Sequence, residues 1–413
     1  MKPEDHNDDV TSGTYHSLDS LFSRGRIKEI DGMKVQVVTD EFWTSRQRQA
    51  CSLHEISYRA CFKPQLPRFF INIMKGKVGM VFDPFMGRGT TMIESALNRV
   101  TSIGIDINPL SEILVSPRLN IPKKDEIFRR LRQIDLSENI TADMDLSMFY
   151  HRKTEKELVN LRDYLISRRE DGKEDAVDRW IRMVATNRLT GHSSGFFSVY
   201  TLPPNQAVTQ KEQKRINHRT GKVPEYRNVK EIIMKKTVSL LRDFKDTAQI
   251  ELINQTGVSS RLMTGDSRQA SRLIDEESID MTITSPPFLN VVDYAKDNWL
   301  RCWFNALDVR SRQSRIFTTA NIEKWNFFIR QVMKQIFAVT KNNGYVIFEV
   351  GEVRNGKTNL DEHVLRDGIN EGFEPLGIMV NVQNFTKTSN IWGVRNHTKG
   401  TNTNRLVVFR KLR

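Results

Sequence analysis

Residues 78–109 constrain the fold more than any other stretch of the chain. Val78-Gly79-Met80-Val81-Phe82 is a short, largely apolar run. It is followed by Asp83-Pro84-Phe85-Met86-Gly87-Arg88-Gly89-Thr90-Thr91 and then by Met92-Ile93-Glu94-Ser95-Ala96-Leu97. The order reads strand, glycine-rich turn, helix. Glycines permit a tight turn and close approach of the backbone to a ligand. The helix N-terminus adds free N–H groups aimed at whatever the turn holds. A second apolar strand comes next, Val100 to Pro109, with Asp106 and Ile107 near its C-terminal end. In doubly wound folds an acid there hydrogen-bonds ribose hydroxyls, and Asp106 follows Gly87 by about the separation that rule expects. The glycine spacing is not G-x-G-x-x-G, which disfavours a nicotinamide or flavin site.

The same alternation resumes near the other end of the chain. Arg261 to Ser267 reads as a strand ending in the acid Asp266, and Ile279–Ile283 as a buried strand. The latter runs into Thr284-Ser285-Pro286-Pro287-Phe288. Neither proline has an N–H to give a ladder, so the strand stops there with free carbonyls on a stiff backbone. Such a turn suits a planar group carrying an exocyclic amine. Ser285 and the carbonyl beside Pro286 can accept the two amine hydrogens, and the Phe288 ring can lie against the flat face. A strand ending in a Pro-Pro turn with a core Phe accounts for the same residues. Further strands are expected at Asn343–Val350, Gly377–Val382 and Leu406–Phe409, and a long amphipathic helix over Asn321–Thr340. Ligands in such sheets bind outside the carboxyl ends of the strands. Asp83, Asp106, Asp266 and the Ser285–Phe288 turn therefore converge on one crevice.

Between these blocks the α/β pattern lapses. Residues 116–259 read as a mainly helical insertion, with helices expected at Lys124–Gln133, Lys153–Arg168 and Asp175–Thr190. From Ile181 to Lys245 there are thirteen Lys/Arg against four Asp/Glu, and the whole chain carries a net charge of +13. The bland reading is a solvated helical face. The sharper one is a nucleic-acid surface, with Tyr200 and Tyr226 as stacking residues. From Val382 to Arg413 there are seven Lys/Arg and no acid, so the Asn-rich loop 384–404 is a second candidate surface. Residues 1–44 are expected as an N-terminal arm, with a hairpin or edge strand between Gly25 and Val38. Cys51, Cys61 and Cys302 have neither disulfide nor metal-ligand spacing. No run approaches a membrane span and the N-terminus is polar, so no membrane partner and a cytoplasmic location are expected.

The motif Asp83–Thr91 resembles the S-adenosylmethionine motif of bacterial DNA amino-methyltransferases, which modify cytosine N4 or adenine N6. Ser285-Pro286-Pro287-Phe288 resembles their catalytic motif, and Lys63-Pro64 with Leu66 the upstream helix that covers the methionine end of the cofactor. The Ser–Pro–Pro form is most typical of the cytosine-N4 group; the adenine group more often begins with Asp or Asn. The cofactor motif precedes the catalytic one, as in the unpermuted arrangement. The resemblance implies an α/β, doubly wound, mostly parallel seven-stranded sheet. The catalytic domain would comprise residues 45–115 and 260–413, with target recognition in the insertion.

The resemblance also implies roles. S-adenosyl-L-methionine is the methyl donor and no metal is needed. Lys63, Pro64, Pro84, Phe85, Gly87, Gly89, Thr90 and Thr91 surround the donor. Asp83 faces its ammonium group, Asp106 its ribose and Asp266 its adenine amine. Ile107 and Phe288 border the adenine and the target base. Double-stranded DNA is the expected partner, with a cognate restriction endonuclease as a second candidate. Three other readings remain open: adenine N6 as target, an RNA or protein methyltransferase, and a non-catalytic nucleic-acid-binding protein.

Overall fold

Strands buried on both faces read as continuous apolar runs, and the central strands here are of that kind. The computed structural model describes residues 15–43, 50–58, 61–201, 207–287, 297–308, 317, 319–353, 358–382 and 403–412. The N-terminal elements are α1 (Leu18–Phe22), β1 (Arg26–Ile30), β2 (Met33–Asp40) and α2 (Gln65–Ile73). The first βαβ unit is β3 (Met80–Asp83), α3 (Thr90–Leu97) and β4 (Thr101–Asp106). Seven helices follow: α4 (Leu110–Leu119), α5 (Lys124–Gln133), α6 (Arg152–Glu170), α7 (Ala176–Arg188), α8 (Gln210–Thr220), α9 (Val229–Leu240) and α10 (Thr247–Ser259). The sheet resumes with β5 (Arg261–Thr264) and β6 (Ile279–Thr284), then α11 (Trp299–Phe304), α12 (Ile322–Val339) and β7 (Thr340–Val350). A two-stranded ribbon, β8 (Glu352–Val353) and β9 (Thr358–Asn359), precedes α13 (Leu360–Asn370), β10 (Phe373–Val382) and β11 (Thr403–Lys411).

The strands form one sheet in the order β1-β2-β10-β11-β7-β6-β3-β4-β5. Strands β7, β6, β3, β4 and β5 pair in parallel, and β11 runs antiparallel between β7 and β10. The last seven strands in that order are the expected doubly wound sheet. The sheet has nine strands rather than seven. Residues 26–40, inside the segment expected as an arm, form a hairpin whose β2 pairs in parallel with β10. Alternate side chains point to opposite faces. Val81, Met281, Ile283 and Ile347 pack under α1 and α2, with Leu66, Phe69 and Phe70. Phe82, Ile279, Val346 and Phe348 pack under α12 and α13, with Trp325, Met333 and Leu365.

The helices expected at 124–133, 153–168 and 175–190 are α5, α6 and α7. The insertion does not build a core of its own. Leu158, Trp180 and Ile233 from α6, α7 and α9 join Met92, Leu114 and Phe304 from α3, α4 and α11 in one buried cluster. A rigid connection of this kind fixes the insertion relative to the C-terminal edge of the sheet. No helix among the described residues is long and apolar enough to cross a membrane. No disulfide joins Cys51, Cys61 or Cys302.

Candidate active site

Strand β3 ends at Asp83, which is 1 % exposed. Its Oδ1 accepts from the Thr284 hydroxyl (2.7 Å) and the Phe85 N–H (3.0 Å). Its Oδ2 has no hydrogen-bond partner among the described residues. Burial pushes this carboxyl up to about 6, against the pull of its hydrogen bonds. A buried carboxylate oxygen left without a donor costs free energy. It is the natural seat for a cationic group arriving from outside.

The turn after Asp83 passes through two left-handed residues, Gly87 (φ 49°) and Gly89 (φ 76°). A Cβ on Gly89 would lie 2.5 Å from Val115 Cγ2, so both conformation and space demand glycine there. Asp106, at the end of β4, accepts from the N–H groups of Gly87 and Asn108, both at 2.8 Å. Its carboxylate thus shapes the turn. Each oxygen keeps a lone pair for a further donor. Burial raises this carboxyl above its usual range. Ile107 follows, half-buried. Thr90 is buried, and the Thr91 hydroxyl ties α3 to the Ile283 carbonyl at 3.2 Å.

Parallel register opposes Thr284 to Phe348 and so carries Ser285 alongside Glu349. The Ser285 hydroxyl is hydrogen-bonded to the Glu349 carboxylate. Glu349 is 5 % exposed, accepts also from Asn404 Nδ2 at 2.6 Å, and is pushed up by burial. Behind the turn, Trp325 Nε1 donates to the Pro287 carbonyl at 2.9 Å. Ser285, Pro286 and Pro287 are therefore fixed from two sides. Phe288 lies outside the described residues.

The remaining expected residues surround this centre less directly. Asp266 stands after β5, but its carboxylate is taken up by Arg268, whose Nε and Nη2 reach it at 3.0 and 2.6 Å. Partial burial pushes Asp266 up; the Arg268 bonds outweigh this and hold it below the usual range. An adenine amine would have to share that carboxylate. The Phe85 ring faces Phe328 at 5.9 Å, which stacks on Phe317 at 4.1 Å. The Pro84 carbonyl accepts from the Ser267 hydroxyl at 2.6 Å. Lys63 and Pro64 lead into α2, and burial pushes Lys63 down to about 8.

Several supporting residues carry no signal that a linear reading can use. Arg68 on α2 grips Glu94 on α3 with two bonds of 3.0 Å, and His54 Nε2 lies 2.8 Å from the same carboxylate. Desolvation lowers His54 to about 4, so it is neutral near pH 7. Arg118 is fully buried and donates to the carbonyls of Leu114, Leu53 and Arg88. The last of these belongs to the glycine turn. Tyr58 accepts from Asn108 Nδ2 at 3.3 Å and walls the turn beside Gly87. Apart from Arg118 and Leu114, these partners lie 26 to 65 residues apart in sequence, which only tertiary structure reveals.

A family model described as a DNA methylase, of N6 and N4 type, matches residues 2–113, the stretch that holds the glycine turn and Asp106. Over that stretch the chain is similar to the DNA amino-methyltransferases. The Type II methyltransferase M.BsoBI of Geobacillus stearothermophilus is 24 % identical over 293 residues, 65 % of this chain and 56 % of its own length. M.MvaI of Kocuria varians, also a Type II methyltransferase, is 27 % identical over 128 residues, 30 % of this chain and 25 % of its own. The chain thus spans about half the length, or less, of these curated relatives. Among solved structures, TrmN from Thermus thermophilus aligns over 87 % of this chain and 52 % of its own at TM-score 0.33 and 10 % identity. That likeness is too slight to carry a substrate across.

The residues fit the methyl donor used by this family. An unpartnered buried acceptor on Asp83, two glycines in left-handed conformation, one of them without room for a Cβ, and an acid at Asp106 suit an ammonium, a close-lying methionine backbone and a ribose. Among the described residues no group of three or more His, Cys, Asp and Glu could hold a metal ion.

Proposed function

We propose that this protein methylates the exocyclic N4 amine of cytosine in double-stranded DNA. The observation that carries the reading is the Ser285 hydroxyl held on buried Glu349 beside a Pro-Pro turn that Trp325 fixes. When bound, S-adenosylmethionine supplies a methyl group on a sulfonium, already activated for direct transfer. Asp83 would hold its ammonium, Asp106 its ribose and Asp266 its adenine amine, with Gly87 and Gly89 giving the backbone room.

An exocyclic amine is a weak nucleophile because its lone pair is delocalised into the ring. Ser285, whose own proton points to Glu349, offers its oxygen lone pairs to one amine hydrogen. The Pro286 carbonyl offers its own to the other. Acceptors matched to the developing ammonium lower the barrier more than acceptors matched to the ground state. As the new N–C bond forms, one amine proton passes to Ser285 Oγ while the serine proton passes to Glu349. Burial makes Glu349 the stronger base for that step. The target base leaves the duplex, with Phe288 stacked on it.

Duplex DNA is supported as partner by α8. Lys211, Lys214, Arg215 and His218 recur at i, i+3, i+4 and i+7 on its exposed face and line an open groove of about 740 Å³. Lys222 lies over the Tyr200 ring at 4.9 Å. Phosphate contacts there would make binding fall steeply with salt. The relatives' description as Type II methyltransferases extends the proposal to a nuclease partner that cuts the same site. Ser285→Ala tests the chemistry: single-turnover transfer should fall about 100-fold or more with cofactor affinity unchanged. Equal losses in both would remove Ser285 from the reaction.

A further inference from the structure

Most buried or half-buried guanidinium groups in this chain meet a carboxylate: Arg68 with Glu94, Arg182 with Glu174, Arg405 with Asp361. Arg118, Arg188 and Arg301 do not; Arg118 has Nε, Nη1 and Nη2 each on a backbone carbonyl, whereas the other two are less well satisfied. Arg188, at the end of α7 and 9 % exposed, donates from Nη2 to Asn187 Oδ1 at 2.5 Å. Its plane lies 3.9 Å from the Phe196 ring centre, and its Nε has no partner among the described residues. Arg301, on α11 and 6 % exposed, donates to Asn298 Oδ1 at 2.9 Å and to the Ser57 carbonyl at 3.0 Å. Asn187 Nδ2 reaches that same carbonyl at 3.1 Å. The two arginines therefore converge on one oxygen, Arg301 directly and Arg188 through Asn187. The acceptors they meet, on Asn187, Asn298 and Ser57, are all neutral.

Charge around them is in surplus. Burial and the field of Arg301 push Arg188 down to about 10, and burial and Arg188 push Lys236 down to about 8. Glu55 is the acid whose field reaches Arg188, and it is already engaged by Arg242 and, at 3.6 Å, by Lys236. Asp297 contributes weakly at Arg301. Leaving cations buried without an anion costs several kcal/mol each, which an incoming anion would repay.

The position decides which anion. Ser57 adjoins Tyr58, the residue that walls the glycine turn. Helix α11 lies downstream of the Ser285-Pro286-Pro287 turn, and α7 belongs to the basic insertion. We propose that Arg188 and Arg301 form a clamp for one DNA backbone phosphate next to the extruded nucleotide. Guanidinium forks match the two free oxygens of a phosphodiester. The clamp would hold the strand while the base occupies the Ser285 turn. It rests on the reading of duplex DNA as substrate.

The test measures binding of the full chain to a mixed-sequence duplex across a series of salt concentrations, by fluorescence anisotropy. Each phosphate contact contributes about 0.9 to the slope of log K against log salt. Arg188→Met and Arg301→Met should each weaken binding about tenfold while keeping most of the slope, because the other arginine still neutralises the phosphate. The double variant should lower the slope by about 0.9, because both arginines serve one phosphate. A folded double variant with the wild-type slope, or one losing about 1.8, would overturn the clamp while leaving the substrate intact. A wild-type chain that binds no duplex would remove the substrate and the clamp together. Where a Met variant does not fold, Arg188→Lys and Arg301→Lys replace it. These keep the charge and the slope but lose the fork, so affinity should fall about tenfold; unchanged affinity would refute the proposal.

Discussion

Asp83→Asn should stabilise the protein while abolishing its grip on the methyl donor. Burial holds the Asp83 carboxyl at about 6 rather than 3.8. A raised acid in the folded state stabilises below its unfolded pKa and loses that contribution as pH rises through the folded value. The shift of about two units, at about 1.4 kcal/mol each, means that near pH 7.5 the charged form costs about 3 kcal/mol. Asparagine removes the charge and keeps an oxygen for the Thr284 hydroxyl and the Phe85 N–H. The second position of the side chain is unpartnered in both proteins, so little offsets the gain. An unfolding entropy of about 2.1 cal/mol/K per residue over 413 residues converts about 3 kcal/mol into about 3 °C of Tm. Thermal denaturation of both proteins from pH 4 to pH 8 reads the effect. The gap should be near zero at pH 4, open through pH 6 and then level off. A variant less stable than wild type at pH 7.5, or a gap that ignores pH, would refute the reasoning.

The same carboxyl predicts that affinity for S-adenosylmethionine, measured by calorimetry, weakens as pH falls below about 6, because a protonated Asp83 no longer faces the ammonium; Asp83→Asn should bind at least tenfold more weakly without that pH dependence. Burial-raised Glu349 should give the single-turnover rate an acidic limb, the rate falling as Glu349 protonates. Glu349→Gln should be slow and lose that limb, whereas an unchanged profile would exclude Glu349 as the proton acceptor. Arg118→Met leaves three carbonyls without their donor. It should lower stability by about 3 kcal/mol or more and, if folded, weaken cofactor binding; wild-type urea denaturation would contradict the strut.

The sheet was legible because parallel strands must be continuously apolar and end where Asp83, Asp106 and Pro286 stop them. The glycines at 87 and 89 were legible because a tight turn with positive φ selects glycine, and at Gly89 Val115 also leaves no room for a Cβ. The hairpin at residues 26–40 was legible as a basic-apolar segment between Gly25 and Val38, but the parallel pairing of its β2 with β10 was not, because no local pattern encodes a contact between strands so far apart in sequence. The insertion's helices were only partly legible. Helices α5 to α7 were expected, while α8 and α10 expose more than half of their residues; α9 was not singled out although it buries Val229, Ile232, Ile233 and Leu240. Glu349 reads from sequence as a strand residue alone. Its partnership with Ser285 depends on the register of β6 against β7, which no local pattern encodes. Asp266 was legible as a strand-end acid, but its capture by Arg268 two residues on was not.

The most direct test incubates the full chain with methyl-labelled S-adenosylmethionine and a mixed-sequence duplex, then digests the DNA and analyses its nucleosides by mass spectrometry. Label on the N4 amine of deoxycytidine is the predicted result, and it should disappear with Ser285→Ala. Label on the N6 amine of deoxyadenosine would keep the acceptor chemistry of Ser285 and Glu349 and contradict the choice of base. A chain that binds the donor but labels no DNA nucleoside would contradict the account at its centre.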